Sequence, residues 1–241
     1  MICYDELWPG GPRLAWDAGG FRLSTDSVLL ANFVKTPNPQ AILDLGCGTG
    51  VLSVLLAQKY PAAQLTGIEI QPGSARLCRL SLEASGCGNA RVLQGDLREH
   101  RSLLTAGAYD LVVSNPPYFP AGGGHSAPDE ARRVAREEVC CTLADVCAAA
   151  AWLCRWGGAF CLVHRPERLS EICCTAAPLG LDPKRLRMVQ YKYESPPNLV
   201  LLELRRGAKP GLTVEKPLVL TGPDGTETDE VKQMYHRESK K

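Results

Sequence analysis

No stretch of this 241-residue chain approaches the roughly 18 consecutive apolar residues that cross a bilayer. The opening residues Met1-Ile-Cys-Tyr-Asp-Glu6 lack the basic segment and apolar run of a secretory leader, so the cytoplasm is the expected compartment. Net charge is nearly absent, because 27 Lys and Arg offset 26 Asp and Glu to leave +1. The whole molecule therefore supplies little long-range field to draw in a polyanion, and any nucleic-acid contact has to come from a local basic patch. The eleven cysteines are odd in number and form no C-x-x-C pair, which argues against a disulfide framework and against a zinc site, and no metal is expected. Internal repeats and low-complexity tracts are also missing.

What is present is the composition of an ordinary globular protein, with 45% apolar and 22% charged residues. The length suits one well-cored domain with short additions and is too short for two full enzyme domains. From residue 41 onward, β-branched and leucine-rich runs alternate with helical periodicity, the signature of a parallel sheet covered on both faces. Strands are predicted at 41–46, 64–70, 90–96, 109–114, 158–164, 184–192 and 198–206. Helices are predicted at 50–59, 72–85, 138–155 and 166–177, with a short one near 98–105. Cys140, Cys147 and Cys154 recur every seventh residue along the helix expected at 138–155, as small apolar side chains on its core-facing stripe.

The link Glu194-Ser-Pro-Pro-Asn198 is too short for a crossover helix, so the last two strands should form an antiparallel hairpin. The fold class is thus α/β and Rossmann-like: a seven-stranded, mostly parallel sheet with an antiparallel last strand, as in class I methyltransferases. Ahead of it, glycine-rich turns at Pro9-Gly-Gly-Pro12 and Gly19-Gly20, followed by Ser24-Thr-Asp-Ser27, read as a hairpin and a capped helix over residues 1–40. After Arg206 the composition turns polar and rich in Pro and Gly, with a short strand at Leu218–Leu220 and a weak helix near 228–236. The expected division is one domain over 1–206 and an appended arm over 207–241.

The first strand, Ala41-Ile-Leu-Asp-Leu45, runs into Gly46-Cys-Gly-Thr-Gly50 and then a helix, where open α/β sheets bind nucleotide-like ligands. The spacing is G-x-G-x-G, and Val51 stands where a dinucleotide fingerprint needs its last glycine. Asp44 fits instead a carboxylate facing the cationic methionine end of S-adenosylmethionine. Glu69, closing the second strand ahead of Ile70, is placed to accept hydrogen bonds from both ribose hydroxyls, and Asp96, followed by Leu97, to receive the adenine amino group. Together with Gly46, Cys47, Gly48, Thr49 and Gly50 these are the candidate cofactor residues.

The fourth strand, Tyr109-Asp-Leu-Val-Val-Ser114, ends in Asn115-Pro-Pro-Tyr118. An exocyclic amine or an amide nitrogen is a poor nucleophile because its lone pair is delocalised into the neighbouring π system. It needs hydrogen-bond acceptors rather than a strong base. The Asn115 side-chain oxygen and the Pro116 carbonyl can each take one N–H and so aim the lone pair, while Pro116 and Pro117 hold the strand end in shape. Tyr118 offers a flat face on which a base can stack, worth roughly 1–3 kcal/mol. No Pro-Cys nucleophile follows this strand, which argues against cytosine C5 chemistry.

Asp44-Leu-Gly-Cys-Gly-Thr-Gly50 and Asn115-Pro-Pro-Tyr118 resemble the methyltransferases that modify adenine N6, guanine N2 or glutamine amides. Three further segments, Phe21-Arg-Leu-Ser-Thr-Asp-Ser-Val-Leu-Leu-Ala31, Ala131-Arg-Arg-Val-Ala-Arg136 and Leu162-Val-His-Arg-Pro-Glu-Arg-Leu169, resemble the bacterial valine-tRNA N6-adenine methyltransferases over about residues 13 to 235. The resemblance implies the class I fold, S-adenosylmethionine as cofactor and an adenosine beside the anticodon as acceptor. It also implies that the segment Ser24 to Ser27, which reads locally as a helix cap, lies beside the pocket, with Thr25 and Asp26 as substrate-binding residues. Cys47 stands where members often carry a small polar residue.

RNA contacts are expected from two basic clusters. Lys184, Arg185 and Arg187 lie in a segment interleaved with Tyr191 and Tyr193, and Arg132, Arg133 and Arg136 follow the loop Ala121-Gly-Gly-Gly-His125. His125 reads as solvent-exposed rather than catalytic. A protein glutamine methyltransferase shares the Asn-Pro-Pro-Tyr chemistry but usually carries a helical substrate domain ahead of its cofactor loop, and only about forty residues precede Asp44. A ribosomal-RNA guanine N2 enzyme and a non-catalytic cofactor-binding RNA module remain as alternatives.

Overall fold

The computed structural model describes residues 1–17, 25–118 and 141–237. A hairpin of β1 (Ile2–Glu6) and β2 (Arg13–Asp17) precedes helix α1 (Thr25–Phe33). Next come β3 (Ala41–Leu45), α2 (Val51–Lys59), β4 (Gln64–Glu69), α3 (Pro72–Ala84) and β5 (Ala90–Gln94). A 3-10 turn at Leu97–Glu99 and α4 (His100–Leu103) lead to β6 (Tyr109–Ser114). Beyond that lie α5 (Leu143–Leu153), β7 (Cys154–His164), α6 (Leu169–Ala176), β8 (Leu181–Gln190) and β9 (Pro197–Arg206). The arm contributes β10 (Thr213–Val214), β11 (Leu218–Val219) and α7 (Asp229–Met234).

The main sheet runs β5-β4-β3-β6-β7-β9-β8. Pairings from β5 through β7 are parallel, and β9 enters antiparallel between β7 and β8, which makes the expected hairpin. Alternation along each strand feeds two cores. Ile42, Leu111, Val113, Cys161 and Leu201 face α1, α2 and α3, whereas Leu43, Leu45, Val112, Phe160 and Leu202 face α5 and α6. Strand order reverses beside β3, since the chain moves outward through β4 and β5 and returns to β6 on the other flank. That reversal opens a crevice at the carboxyl ends of β3, β4 and β6, the usual ligand position in such sheets.

The sequence reading needs correction at three places. α5 starts at Leu143, behind a Thr142 cap that accepts from the Asp145 amide at 3.2 Å, and ends at Leu153. Cys147 is buried within it, Cys154 is the first residue of β7, and Cys140 lies outside the described residues, so the cysteine stripe does not belong to one helix. The reason is a register shift between β6 and β7, which pairs Tyr109 with Cys154 and Leu111 with Ala159 and starts the strand four residues early.

The second correction concerns strand number. β10 and β11 both add parallel pairs to β8, giving a nine-stranded sheet among the described residues. They cover the edge that β8 would otherwise leave open for non-specific pairing. Leu218 and Val231 of the arm are buried in the same core as α1 and α2, so packing is continuous across the division expected at residue 206.

Third, Lys184, Arg185 and Arg187 are engaged within the protein. Arg185 pairs with Glu203 at 2.8 Å and Glu215 at 3.1 Å, donates to the Phe33 carbonyl at 2.6 Å and lies 3.9 Å over the Phe33 ring. Arg187 is bidentate to Glu230 at 2.6 and 2.7 Å, and Lys184 reaches Asp182 at 3.2 Å and the Gly211 carbonyl at 3.1 Å. These cations hold the arm on β8; they do not form a free phosphate-binding face. Because removing one partner of a buried pair leaves the other charge uncompensated, Arg185→Ala should lower unfolding free energy by roughly 3 kcal/mol. A urea titration measures it, and a loss under about 1 kcal/mol, the scale of an exposed pair, would contradict the structural role given to this cation.

Candidate active site

The crevice forms a cavity of about 550 Å³ over the carboxyl ends of β3, β4 and β6. Its floor is the glycine loop. The amides of Gly46 and Cys47 both donate to the Ile68 carbonyl at 3.0 Å, which lays the loop across the end of β4. Gly46 and Gly48 sit at φ +73° and +55°, and a Cβ at either would meet no protein atom within 4 Å, so the loop presents bare backbone to open space. Gly50, at φ +97°, is required by packing as well, because a Cβ there would stand 2.7 Å from Cys78 Sγ.

Two buried carboxylates line this space. Asp44 is 1% exposed and accepts from Ser53 Oγ at 2.6 Å. Burial raises its carboxyl to about 7, against the Ser53 hydrogen bond and with a smaller contribution from the charge of Glu69. Glu69 is 6% exposed and accepts the Gly48 amide at 2.9 Å and the Gln71 amide at 2.8 Å, so it braces the loop from below. Burial moves its carboxyl upward too, against those backbone bonds. Asp96 lines the cavity while capping the 3-10 turn, accepting the Arg98 amide at 2.9 Å and pairing with the Arg98 guanidinium, whose hydrogen bonds pull its carboxyl below the usual range. Cys47, Thr49, Ile70 and Leu97 complete the wall on this side. The Cys47 thiol is pushed up by its contact with Cys78 and by burial, which leaves it inert.

Opposite stand the residues that end β6. Ser114 Oγ donates to the Leu45 carbonyl at 2.8 Å and ties the end of β6 to the end of β3. Asn115 Nδ2 donates to Ser27 Oγ at 3.0 Å, and the Tyr118 hydroxyl lies 2.8 Å from Asn115 Oδ1 and 2.5 Å from Asp26 Oδ2. Burial and the Asp26 charge push the Tyr118 hydroxyl well above its ordinary range, so it stays protonated. The ring packs against His164, centroids 5.3 Å apart, with the Arg165 guanidinium 5.5 Å above it. His164 accepts the Arg165 amide on Nδ1 at 2.8 Å, and burial holds its pKa down to about 4, so it is neutral near pH 7.

Of the residues named from sequence, Asp44, Gly46, Cys47, Gly48, Thr49, Gly50, Glu69, Ile70, Asp96, Leu97, Asn115, Pro116, Pro117, Tyr118 and Asp26 all line one cavity. Thr25 does not. It is exposed. Arg132, Arg133, Arg136, the 121–125 loop and His125 lie outside the described residues. Lys184, Arg185 and Arg187 are engaged as described above, yet Tyr191 and Tyr193, in the turn after β8, are 57% and 62% exposed at the carboxyl end of the sheet. Sequence reasoning missed Arg165 as a wall residue and His164 as the ring behind Tyr118, whereas Ser27, in the segment that the resemblance put beside the pocket, does line the cavity. His164 and Arg165 sat in a quoted segment, but no spacing rule marks which of its residues turns inward.

The residues fit the S-adenosylmethionine expected from the sequence. Asp44 in its ionised form would suit a cation, Glu69 has lone pairs left for hydroxyl donors, and a Cβ at Gly46 or Gly48 would meet nothing, so the loop leaves the volume clear. Known proteins point the same way. The family model described as Methyltransferase small domain matches residues 21–138. The chain is 35% identical to a tRNA1(Val) (adenine(37)-N6)-methyltransferase of Porphyromonas gingivalis over 191 residues, 76% of this chain and 74% of that protein. It is 31% identical to the Aeromonas hydrophila protein of the same name, with 90% of each chain covered. Among solved structures, a predicted O-methyltransferase of Agrobacterium tumefaciens superposes with a TM-score of 0.72 at 21% identity, over 88% of this chain and 96% of that one. The Thermus thermophilus 16S rRNA N2 G1207 methyltransferase, solved with AdoMet and guanosine, gives 0.56 at 22% identity, over 86% of this chain and 50% of that one. Both structures share the fold.

The raised Asp44 carboxyl generates a proton-linkage prediction. In the free protein it is half protonated near pH 7; a bound cation lowers its pKa, so the complex holds fewer protons and affinity must rise with pH through that region. Calorimetry of S-adenosylmethionine binding at pH 7, in two buffers of different ionisation enthalpy, should show release of about half a proton. Asp44→Asn should abolish the release. Affinity that stays flat between pH 6 and 8 would contradict the role given to Asp44.

Proposed function

The chain belongs to the tRNA1(Val) (adenine(37)-N6)-methyltransferase family, which it matches over 76% to 92% of its length, and from that premise we propose that it methylates the N6 amine of an adenine in a tRNA anticodon loop. The observation that carries this reading is the meeting of Asn115, Pro116 and Tyr118 with Asp44 and Glu69 around one cavity. Acceptors for an amine and carboxylates for a cationic, ribose-bearing cofactor face each other across it.

Bound against the glycine loop, S-adenosylmethionine supplies an electrophilic methyl carbon. The protein's own part is to hold the amine. Asn115 Oδ1 and the Pro116 carbonyl each accept one N–H, which turns the nitrogen lone pair toward the methyl group and removes the orientational entropy of the encounter. As the N–C bond would form and the methyl–sulfur bond break, its electron pair leaving with the sulfur as a neutral thioether, positive charge would grow on the nitrogen and strengthen both hydrogen bonds, so these acceptors act mainly in the transition state. Once methylated, the nitrogen releases one proton to solvent. Neutral His164 at the back of Tyr118 adds no positive charge to oppose that build-up.

An anticodon-loop adenine is unpaired and is splayed into a pocket at little cost. Tyr118 serves as its stacking wall. Tyr191, Lys192 and Tyr193 stand at the tip of the β8–β9 hairpin, at the same end of the sheet as Asn115, and supply exposed rings and a cation for neighbouring nucleotides. Arg132, Arg133 and Arg136 are assigned to the same surface by sequence alone.

Incubating the protein with unmodified tRNA and S-adenosylmethionine should yield N6-methyladenosine, read by mass spectrometry of nucleosides. Asn115→Ala should cut turnover about 100-fold or more with cofactor affinity little changed, the scale of losing one well-placed polar group in a preorganised site. A methylated glutamine in a protein acceptor, with no RNA product, would overturn the substrate assignment. Near-normal turnover of Asn115→Ala would overturn the mechanism.

A further inference from the structure

The Tyr118 hydroxyl has one proton and two acceptors in reach, Asp26 Oδ2 at 2.5 Å and Asn115 Oδ1 at 2.8 Å. An ionised carboxylate only accepts, and a charged acceptor outcompetes an amide oxygen, so the proton points to Asp26. Asn115 Oδ1 then faces an oxygen with nothing to donate. The other end of the same amide is anchored, because Nδ2 donates at 3.0 Å to Ser27 Oγ, on a residue only 7% exposed. Asp26 and Ser27 are neighbours at the start of α1, outside the parallel sheet that carries the cofactor loop.

We propose that Asp26 and Ser27 are positioning residues for methyl transfer: Asp26 draws the Tyr118 proton away from Asn115, Ser27 anchors the amide nitrogen, and Asn115 Oδ1 is thereby left open to one N–H of the target amine. The inference rests on the acceptor role assigned to Asn115 above. It also changes the part given to Asp26, which acts through Tyr118 and does not hold the substrate itself.

The same arrangement explains why an amide is useful at this position. Turned over, Asn115 would offer Nδ2 to Tyr118 and Oδ1 to the Ser27 hydroxyl, a satisfied but unproductive state that shows an N–H to the incoming N–H. Target amine binds only the orientation seen here and draws the population toward it. Asp26 is what keeps the productive orientation from being quenched by the nearest hydroxyl.

Epistasis tests this. Steady-state kinetics on tRNA would compare wild type, Asp26→Ala, Tyr118→Phe, the double variant, Ser27→Ala and Ser27→Thr, with calorimetry of S-adenosylmethionine confirming each site is folded. Asp26→Ala should lower kcat about tenfold with little change in KM for RNA, because the freed Tyr118 proton turns onto Asn115 Oδ1, takes one of its two lone pairs and weakens it as an acceptor in the transition state. Adding Tyr118→Phe to Asp26→Ala should recover at least about threefold of that loss, since no proton remains to block the acceptor. Ser27→Ala should lower kcat, and Ser27→Thr, which keeps the hydroxyl, should restore it.

If the two losses in the double variant simply multiply, or if Asp26→Ala raises KM with kcat unchanged, the proposal is wrong and Asp26 is a structural or substrate-contact residue. Failure of the tRNA reading shows separately, as a wild-type protein that makes no N6-methyladenosine. In that case the side-chain amide ¹⁵N resonances of Asn115 decide the matter. Asp26→Ala and Ser27→Ala must each shift them, Tyr118→Phe must cancel the Asp26→Ala shift, and absence of that cancellation overturns the proposal.

Discussion

Parallel strands cannot be wound outward on both sides of a central strand without leaving their carboxyl ends uncovered at the point of reversal. Here that point lies beside β3, and everything chemical in the molecule gathers there. Asp44 pairs in register with Gly67 and Val113 of the flanking strands, and Glu69 sits two residues further along β4. The crevice is deep enough to strip water from both carboxylates, so each pays a desolvation cost that a cationic, hydroxyl-bearing ligand relieves. Loop, carboxylates and acceptors have no independent reason to coincide. The strand order brings them together.

The reacting side of the cavity is held from a different direction. β6 ends in a motif whose amide and hydroxyl would compete with one another if left alone, and α1 settles the competition by offering a carboxylate to one and a hydroxyl to the other. α1 in turn is located by contacts far away in the chain. Arg185 on β8 donates to the Phe33 carbonyl, and α7 of the arm packs against α1 with Val231 buried in the same core. Basic residues that look like a nucleic-acid patch in the sequence thus reach the active site by an indirect route, as the fastening that keeps the arm and α1 in place.

This division marks what could be read in advance. Element order, the glycine loop and the strand-ending Asn115-Pro-Pro-Tyr118 follow from rules that act over a few residues: period-two burial in strands, turn chemistry, and the requirement for glycine at left-handed φ. Asp44, Glu69 and Asn115 could be named because they stand next to such local markers. His164 and Arg165 stand next to none, and Ser27 carries only the mark of a helix cap. Their importance comes from which strand or helix ends meet, and Ser27 meets Asn115 across 88 residues of chain.

The amino-acid sequence by itself determined the α/β class, the ligand-binding end of the sheet and the type of nucleophile it suits, since each is a consequence of local conformation and side-chain chemistry. Only the tertiary structure decided which charges are free and which are paired. Lys184, Arg185 and Arg187 read as open cations until Glu203, Glu215 and Glu230 are brought to them by β9 and the returning arm. It likewise decided the direction of the Tyr118 proton, because Asp26 is 92 residues away in sequence and 2.5 Å away in space. Electrostatic interactions depend on distance through the fold, and spacing along a chain carries no measure of that distance.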